Sequence, residues 1–281
     1  MTLNFPLLLV IAVAVCGALA LVDLVLFAPR RRAAISSYEG QVNEPDPAVL
    51  EKLNKEPLLV EYGKSFFPVL FIVLVLRSFL VEPFQIPSGS MKPTLEVGDF
   101  ILVNKFAYGI RLPVLDTKVI PIGDPQRGDV MVFRYPSEPN INYIKRVVGL
   151  PGDRIQMRQG QLFLNDRPVT RVAMKEVFAG SVCGGDAGTK VRRWRETLPN
   201  GASYVTYDCI DNGYYDNTNV YTVPPGHIFV LGDNRDNSTD SRVMTAMGFV
   251  PMDNLVGKAV RIFWSLDSRG ELRPDRMGKV W

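Results

Sequence analysis

The sequence predicts a mainly β protein with two N-terminal transmembrane helices and an inserted second β lobe. Two long apolar stretches predict the helices, and short runs rich in β-branched and aromatic residues, from residue 100 onward, predict the β body. A central region rich in Gly, Asn, Asp and Arg predicts the insertion. The predicted segments are a first span 1–27, a linker 28–64, a second span 65–81, a β body 82–153 and 224–281, and a second lobe 154–223.

The charges that flank the apolar segments predict how the chain crosses the membrane. Residues 1–6 contain no Lys or Arg, Arg30–Arg32 follow the first segment, and Lys64 precedes the second. Because basic residues favour the cytoplasmic side, we expect the N-terminus outside, a cytoplasmic linker and an extracytoplasmic β body. A cleaved secretory signal is the alternative for the first segment, but such signals begin with a basic region.

The linker 28–64 has mixed charges, several prolines and few large apolar residues after Arg32. We expect it to be short and weakly structured, with a topological role only.

The β body is divided by turn signals. Three Gly-Asp pairs, at residues 98–99, 128–129 and 152–153, each precede an apolar or alternating run. Gly accepts a positive φ and Asp bonds the nearby backbone, so each pair predicts a turn that begins a strand. The predicted strands include residues 100–103, 130–133, 143–148, 227–231 and 259–264.

The second lobe contains two cysteines and one basic cluster. If the lobe is extracytoplasmic, Cys183 and Cys209 lie in an oxidising compartment, and we expect them to form a disulfide. The cluster surrounds Trp194 and consists of Lys190, Arg192, Arg193 and Arg195. We interpret it as a solvated hairpin face, with contact to anionic lipid head groups as the alternative. The net charge of +3 is too small to indicate a nucleic-acid partner.

A candidate nucleophile, Ser90, lies close to the membrane. It follows Val81, the last residue of the second apolar segment, by nine positions. An extended chain advances at most about 3.6 Å per residue, so Ser90 lies within about 32 Å of the membrane surface. A substrate of this serine must therefore come to the membrane.

A serine hydroxyl needs a base to take its proton, and the usual base is His. The chain has one His, His227, which follows Pro-Pro-Gly and begins an apolar strand, so we expect it to be structural. One His and three Cys also make a zinc site implausible, and we expect no metal and no other cofactor.

A lysine is the remaining candidate base, and it must be neutral to act. A free lysine has a pKa of about 10.4, so neutrality near pH 7 to 8 requires burial. Lys145 shares a strand face with Tyr143 and Val147, whereas Lys92 precedes a Pro in a loop beside the membrane. The sequence therefore favours Lys145, with Lys92 as the alternative.

Three motifs resemble the successive sequence boxes of bacterial type I signal peptidases, also called leader peptidases. They are Pro-Ser-Gly-Ser-Met-Lys-Pro-Thr-Leu at 87–95, Lys-Arg-Val-Val-Gly-Leu-Pro-Gly-Asp at 145–153, and Gly-Asp-Asn-Arg-Asp-Asn-Ser-Thr-Asp-Ser-Arg at 232–242. The likeness extends over residues 60–267, and the two spans precede it in the expected order. The family consists of membrane-bound serine endopeptidases, so the resemblance implies that activity.

The resemblance also implies roles for individual residues. Ser90 is the acylating nucleophile and Lys145 is its general base. Ser238 orients the lysine amine, and the Ser88 hydroxyl joins the Ser90 backbone N–H in binding the oxyanion. The implied supporting ionic network consists of Arg146, Asp233, Asp240 and Arg242.

The implied substrates are the signal peptides of exported preproteins, cut after small residues of the Ala-x-Ala type. The peptide is expected to add as a strand beside residues 83–90 and 142–145. The residues implied to bind it are Phe84, Ile86, Pro87, Ile101, Val132, Tyr143 and Ile144. Several of them fit a hydrophobic core equally well.

The implied location is the bacterial inner membrane, with the β body on its periplasmic side. The lipid bilayer is then a partner, and the sequence leaves open whether the second lobe contacts the translocation machinery. The alternative function is a membrane-tethered β domain that binds chains or lipid without cutting them. The joint presence of Ser88, Ser90, Lys145 and Ser238 argues against that alternative.

Overall fold

The computed structural model describes residues 5–111, 117–178 and 190–280. The chain divides into two compact units, a helical unit that ends at Phe79 and a β unit that begins at Leu80. This arrangement confirms the predicted fold class, a mainly β chain with two N-terminal apolar helices.

From residue 5 onward, the N-terminal part consists of four α-helices and two π-helical segments. Two helical stretches, Leu7–Glu39 and Leu58–Ser78, are long and apolar enough to cross a membrane. The second begins earlier than the predicted boundary at residue 65. The α-helices are α1 (Phe5–Val22), α2 (Ala28–Glu39), α3 (Pro47–Asn54) and α4 (Leu58–Val75), and the π-helical segments are Asp23–Phe27 and Leu76–Leu80.

Helices α1 and α4 pack closely because each presents a glycine to the other. A Cβ added at Gly17 would lie 2.9 Å from the ring of Phe67, and one added at Gly63 would lie 2.9 Å from Leu19 Cβ. Small residues of this kind let the backbones of membrane helices approach each other. The two apolar helices therefore form one packed pair.

The prediction of a weakly structured linker is wrong, because α2 and α3 occupy much of residues 28–64. Asp46 caps α3 by accepting a hydrogen bond from the Ala48 N–H at 2.9 Å, and Pro47 takes the first helical position, where a missing N–H is tolerated.

An ion cluster also orders this region. The carboxylate of Asp23, which is 2% exposed, accepts hydrogen bonds from Arg31 at 2.6 Å and Lys64 at 3.1 Å. Glu56 pairs with the same two cations.

The described residues of the β unit form seventeen strands, whose ladders are antiparallel. They are β1 (Val81–Gln85), β2 (Asp99–Asn104), β3 (Ile110–Arg111), β4 (Lys118–Ile120), β5 (Val130–Tyr135), β6 (Glu138–Gly149), β7 (Arg154–Arg158), β8 (Gln161–Leu164), β9 (Arg167–Pro168), β10 (Thr170–Phe178), β11 (Lys190–Thr197), β12 (Ser203–Asp208), β13 (Tyr221–Thr222), β14 (His227–Leu231), β15 (Val250–Pro251), β16 (Leu255–Ser265) and β17 (Gly278–Lys279).

The largest sheet has the order β1-β2-β16-β5-β6-β14-β15, with β17 added to β16. Strands β13-β7-β8-β9 form a second sheet, β10-β11-β12 a third, and β3-β4 a two-stranded ribbon. All five strands predicted from the sequence lie inside β2, β5, β6, β14 and β16. The predicted Gly-Asp turns are also confirmed, since Gly98, Gly128 and Gly152 have φ values of 89°, 95° and 85°.

The core joins the large sheet to the region predicted as a second lobe. Ile155, Met157 and Leu162 from the second sheet pack in one buried cluster with Phe229 and Leu231 from β14. The region 154–223 thus has its own two sheets but shares a hydrophobic core with the main sheet. Its division from the β body as a separate lobe stays a prediction.

Candidate active site

The loop that carries Ser90 connects β1 to β2 and is held from a distant part of the chain. The backbone N–H of Asn234 donates to Ser90 O at 3.1 Å, and its side-chain Nδ2 donates to Gly89 O at 3.0 Å. Gly232 allows this approach, since a Cβ there would lie 2.7 Å from Ser90 O. The motif that follows β14 therefore fixes the position of the loop.

Lys145 reaches this loop from β6. Its Nζ lies 2.7 Å from Ser90 Oγ and donates a second hydrogen bond to Ile144 O at 2.9 Å. The side chain is 2% exposed, and the Tyr143 ring lies 5.4 Å from Nζ. The structure thus brings the predicted nucleophile and the predicted base into direct contact.

Burial lowers the pKa of Lys145 to about 8. The carboxylates of Asp240 and Asp233 oppose this change, and the guanidinium of Arg242 adds to it. A substantial fraction of the amine is therefore neutral at mildly alkaline pH, as a general base requires.

The two alternative bases have other partners. Lys92 Nζ forms an ion pair with Glu96 at 2.9 Å. His227 is the first residue of β14, and its Nδ1 lies 3.0 Å from Pro225 O. The described contacts of these two residues are therefore with Glu96 and Pro225, whereas Lys145 contacts Ser90 directly.

The two other predicted serines differ in position. Ser88 Oγ lies 3.5 Å from Ser90 Oγ, and both serines line the same cleft. Ser238 lines that cleft too, but its Oγ makes no hydrogen bond of acceptable geometry with any described residue, although it lies near the Asp240 carboxylate. The expected contact of Ser238 with the lysine amine is thus not formed, and the two partners of that amine are Ser90 Oγ and Ile144 O.

A buried ion pair lies on the opposite face of β6 from Lys145. Arg146 donates to both oxygens of Asp233 at 2.8 and 2.7 Å, and both side chains are 1% exposed. Arg146 also donates to Gly128 O, and Thr94 donates its hydroxyl to Asp233. The Tyr204 ring lies 4.1 Å from the guanidinium carbon of Arg146. Every charge here is closely paired.

The second predicted pair, Asp240 with Arg242, is buried as well, at 2.9 Å. Burial by itself would raise the pKa of Asp240, but Arg242 and the Gly232 N–H outweigh it and hold that pKa below its usual value. Arg242 also donates to the Arg235 carbonyl. The predicted ionic residues therefore form two buried pairs, Arg146 with Asp233 and Arg242 with Asp240.

A cleft of about 710 Å³ opens beside Ser90 and Lys145. Three predicted substrate residues, Pro87, Tyr143 and Ile144, line it. The other predicted substrate residues belong to a hydrophobic cluster behind the nucleophile loop, where they pack with Met91 and Leu95. These cluster residues are Phe84, Ile86, Ile101 and Val132.

Sequence reasoning missed several residues that shape the site. Thr94 and Asn234 anchor the nucleophile loop, and Tyr215 and Asp236 line the cleft. Asp236 accepts hydrogen bonds from the backbone N–H groups of Cys209 and Ile210. The motif at 232–242 includes Asn234 and Asp236, and its density of polar residues was the available signal.

The predicted disulfide cannot be placed. Cys183 lies outside the described residues, and its pairing with Cys209 stays a prediction.

Comparisons with known proteins give one answer. A family model described as "Signal peptidase, peptidase S26" matches residues 59–264. The chain is 68% identical to a signal peptidase I of Pseudomonas aeruginosa over 94% of this chain and 93% of that one, and 60% identical to a signal peptidase I of Pseudomonas fluorescens with the same coverage. It is 41% identical to a signal peptidase I of Rickettsia typhi over 72% of this chain and 78% of that one.

Proposed function

The chain belongs to the signal peptidase I family, serine proteases that cleave signal peptides from preproteins, and we propose that it does so with a dyad of Ser90 and Lys145. The contact of 2.7 Å between Ser90 Oγ and Lys145 Nζ carries this proposal. The lowered pKa of Lys145, about 8, supports the same assignment because only a neutral amine can accept a proton.

The reaction begins when neutral Lys145 takes the proton of the Ser90 hydroxyl. Ser90 Oγ then bonds to the carbonyl carbon of the scissile peptide, and the carbonyl oxygen becomes an oxyanion. The Ser90 N–H and the Ser88 hydroxyl donate to that oxyanion, in keeping with the 3.5 Å between the two serine oxygens. Protonated Lys145 gives its proton to the departing amine, so the C–N bond breaks and an ester to Ser90 remains.

Water completes the cycle. Lys145 is neutral again after the amine has left, so it can take a proton from a water molecule that attacks the ester carbon. The second tetrahedral intermediate uses the same two donors. Its collapse breaks the bond to Ser90 Oγ, which regains the proton from Lys145, and the signal peptide leaves with a new carboxylate.

We also propose that the enzyme cuts after small residues of the Ala-x-Ala type. Pro87, Tyr143 and Ile144 line the cleft next to the dyad, and the bulky residues behind them are already packed in the core. A closely packed wall accepts a methyl side chain more readily than a large one, because interiors of this density do not expand cheaply.

In the proposed orientation, the two apolar helices span the inner membrane of a bacterium. The β unit then lies outside the cytoplasm. The two apolar helices and the bacterial relatives are consistent with that membrane. Arg30–Arg32 and Lys64 support a cytoplasmic linker. Protease added to intact spheroplasts should then digest the β unit and spare the linker. Digestion of the linker alone would show that the orientation is the opposite one.

The dyad is tested with purified full-length protein and a preprotein that has an Ala-x-Ala site. We expect one shortened product with the parent enzyme and with Lys92→Ala, and none with Ser90→Ala or Lys145→Ala. Cleavage by Lys145→Ala at the parental rate would assign the base to another residue. Replacing the two alanines of the site by Leu should abolish cleavage. Equal rates of cleavage of the Ala-x-Ala and the Leu-x-Leu preproteins would contradict the proposed specificity.

A further inference from the structure

The free edge of β6 is longer than the contact expected with the substrate. Strand β6 runs from Glu138 to Gly149, and within the described residues β14 pairs with it only from Arg146 onward. The part before Arg146 pairs with β5 on one side, so its other side is an open edge. An open edge can accept an extended peptide as an added strand. The expected peptide contact, residues 142–145, covers only the second half of the stretch 138–145.

The active-site cleft follows this edge past the expected contact. Five consecutive residues of β6, from Ile141 to Lys145, line it. At about 3.3 Å per residue, Ile141 lies about 13 Å from Lys145 along the strand. Alternation puts Ile141 on the same face of the strand as Tyr143 and Lys145. The cleft therefore continues for one further side chain on the face that carries the proposed base.

A second chain segment borders this end of the cleft. Val243 lines the cleft and begins a turn, in which Met247 N–H donates to Val243 O at 2.9 Å. The turn is fastened to the start of β6, since Ser137 Oγ donates to Ala246 O at 2.9 Å. Met247 is 2% exposed and belongs to the buried cluster against which Tyr143 packs. Val243 is therefore held near the part of β6 that precedes Tyr143.

This end of the cleft is apolar and exposed. Ile141 and Met244, the residue after Val243, are each 45% exposed, and Val243 is half-buried. Single exposed apolar side chains are common on protein surfaces, but these converge on a cleft that also contains the proposed dyad. An apolar side chain of a bound peptide would cover them and stabilise the complex by removing apolar surface from water.

We propose that Ile141 and Val243 form an apolar subsite for the part of the signal peptide that precedes the Ala-x-Ala residues. This inference rests on the proposed function, since it places the substrate in the same cleft. Pairing residue by residue with β6 puts Ile141 beside the fourth or fifth residue before the cut. Because alternate residues of an extended peptide face opposite ways, only one of these two positions contacts the subsite. The enzyme then selects a large apolar side chain at that position, in addition to small residues next to the cut.

The test measures peptide binding to full-length Ser90→Ala protein in a nonionic detergent. Binding needs no catalysis, so failure of the proposed dyad would leave this result interpretable. Fluorescein-labelled Ala-x-Ala peptides have Leu or Ser at the fourth or the fifth residue before the cut, and anisotropy gives each Kd. At one of the two positions, we expect Leu to bind at least about fivefold more tightly than Ser. Adding Ile141→Thr and Val243→Thr should reduce this ratio to less than about twofold, while Thr keeps the β-branched shape that strands favour.

Val172→Thr is the matched control. Val172 is 60% exposed on β10 and does not line the cleft, so its variant should keep the parental ratio of the two Kd values. Steady-state cleavage with Ser90 restored gives a second readout. There the double Thr variant should raise KM for the Leu preprotein and change kcat by less than about twofold, because the contact is equal in the ground and transition states. An unchanged melting temperature checks that the variant folds.

Three outcomes would overturn the proposal. The first is equal binding of the Leu and Ser peptides by the parent at both positions, and the second is the same ratio in the parent and the double Thr variant. A further peptide pair, with Leu or Ser at the second residue after the cut, should not respond to the double variant. A response of that pair alone is the third outcome, since it would place the subsite on the other side of the dyad.

Discussion

Two adjacent cations on β6 have opposite environments. Lys145 faces the cleft, and its amine contacts a hydroxyl and a carbonyl but no carboxylate. Arg146 faces the other way and makes a two-pronged ion pair with Asp233. Both side chains are almost fully buried. Burial alone therefore does not decide whether a cation keeps its proton; the closest partner does.

The acids near Lys145 are present, but each one is matched to an arginine. Asp233 pairs with Arg146 and Asp240 pairs with Arg242. The pairing reduces the field of both carboxylates at the lysine amine, so desolvation prevails and the pKa of Lys145 falls. The ion pairs thus help the lysine to lose its proton without touching it.

The largest effect is expected from Lys145→Arg, which makes the two cations of β6 alike. A guanidinium stays protonated at any working pH and cannot accept the Ser90 proton. Turnover of a preprotein should fall by more than about 10⁴-fold, as it does when a nucleophile loses its base in other serine proteases. Lys92→Arg is the control and should retain activity, since Lys92 pairs with Glu96.

Breaking the buried ion pair of Arg146 with Asp233 should lower the stability of the fold. Asp233→Asn leaves the Arg146 guanidinium buried with a neutral partner, and we expect the free energy of unfolding to drop by about 3–5 kcal/mol. Asp166→Asn is the matched control because its pair with Arg154 is half exposed, and its loss should be less than about 1 kcal/mol. If a denaturant titration gave both variants the same loss of unfolding free energy, burial would not explain the contribution of the Arg146–Asp233 pair.

Ser88→Ala removes one proposed oxyanion donor and leaves the dyad intact. We expect kcat to fall by about 10²- to 10³-fold while KM changes little, because the hydrogen bond strengthens only as the oxyanion forms. Ser137→Ala, which removes a hydroxyl that donates to Ala246 O, is the control. An unchanged kcat in steady-state kinetics would exclude Ser88 from the oxyanion site.

The smallest expected effect is a shift in the pH dependence of kcat/KM, which reports the environment of Lys145. Because the folded pKa of Lys145 is about 8 and the neutral amine is the active form, kcat/KM should rise with pH and level off above that value. Arg242→Gln removes a charge that lowers this pKa and exposes Lys145 to Asp240, so the rising limb should move to higher pH. Arg154→Gln should leave it in place. A parental profile that is flat from pH 5 to 9 would contradict a lysine base.

The sequence predicted those parts of the candidate site that depend on local pattern. Ser90 and Lys145 could be found because an apolar alternation around residue 145 indicates burial, and because the three motifs resemble known ones. The strand starts followed from the Gly-Asp pairs, whose backbone preference is local.

What the sequence did not predict depends on contacts between distant residues. The hydrogen bond from Asn234 Nδ2 to Gly89 O joins residues 145 positions apart. The role of the Ser238 hydroxyl could be assigned only by resemblance, and the contact of Lys145 Nζ with Ile144 O has no signal in the sequence. In the linker, Pro47 suggests an interruption of regular structure. It instead begins helix α3, because Asp46 caps the N-terminus of that helix.

The clamp of Asn234 on the nucleophile loop has a consequence for biosynthesis. Ser90 and Lys145 are both made well before residue 234 leaves the ribosome. Until that residue arrives, the serine loop lacks the two hydrogen bonds that hold its backbone carbonyls. A half-made chain in the membrane would thus contain both residues of the proposed dyad without these hydrogen bonds, and we expect it to cleave preproteins poorly until residue 234 has been added.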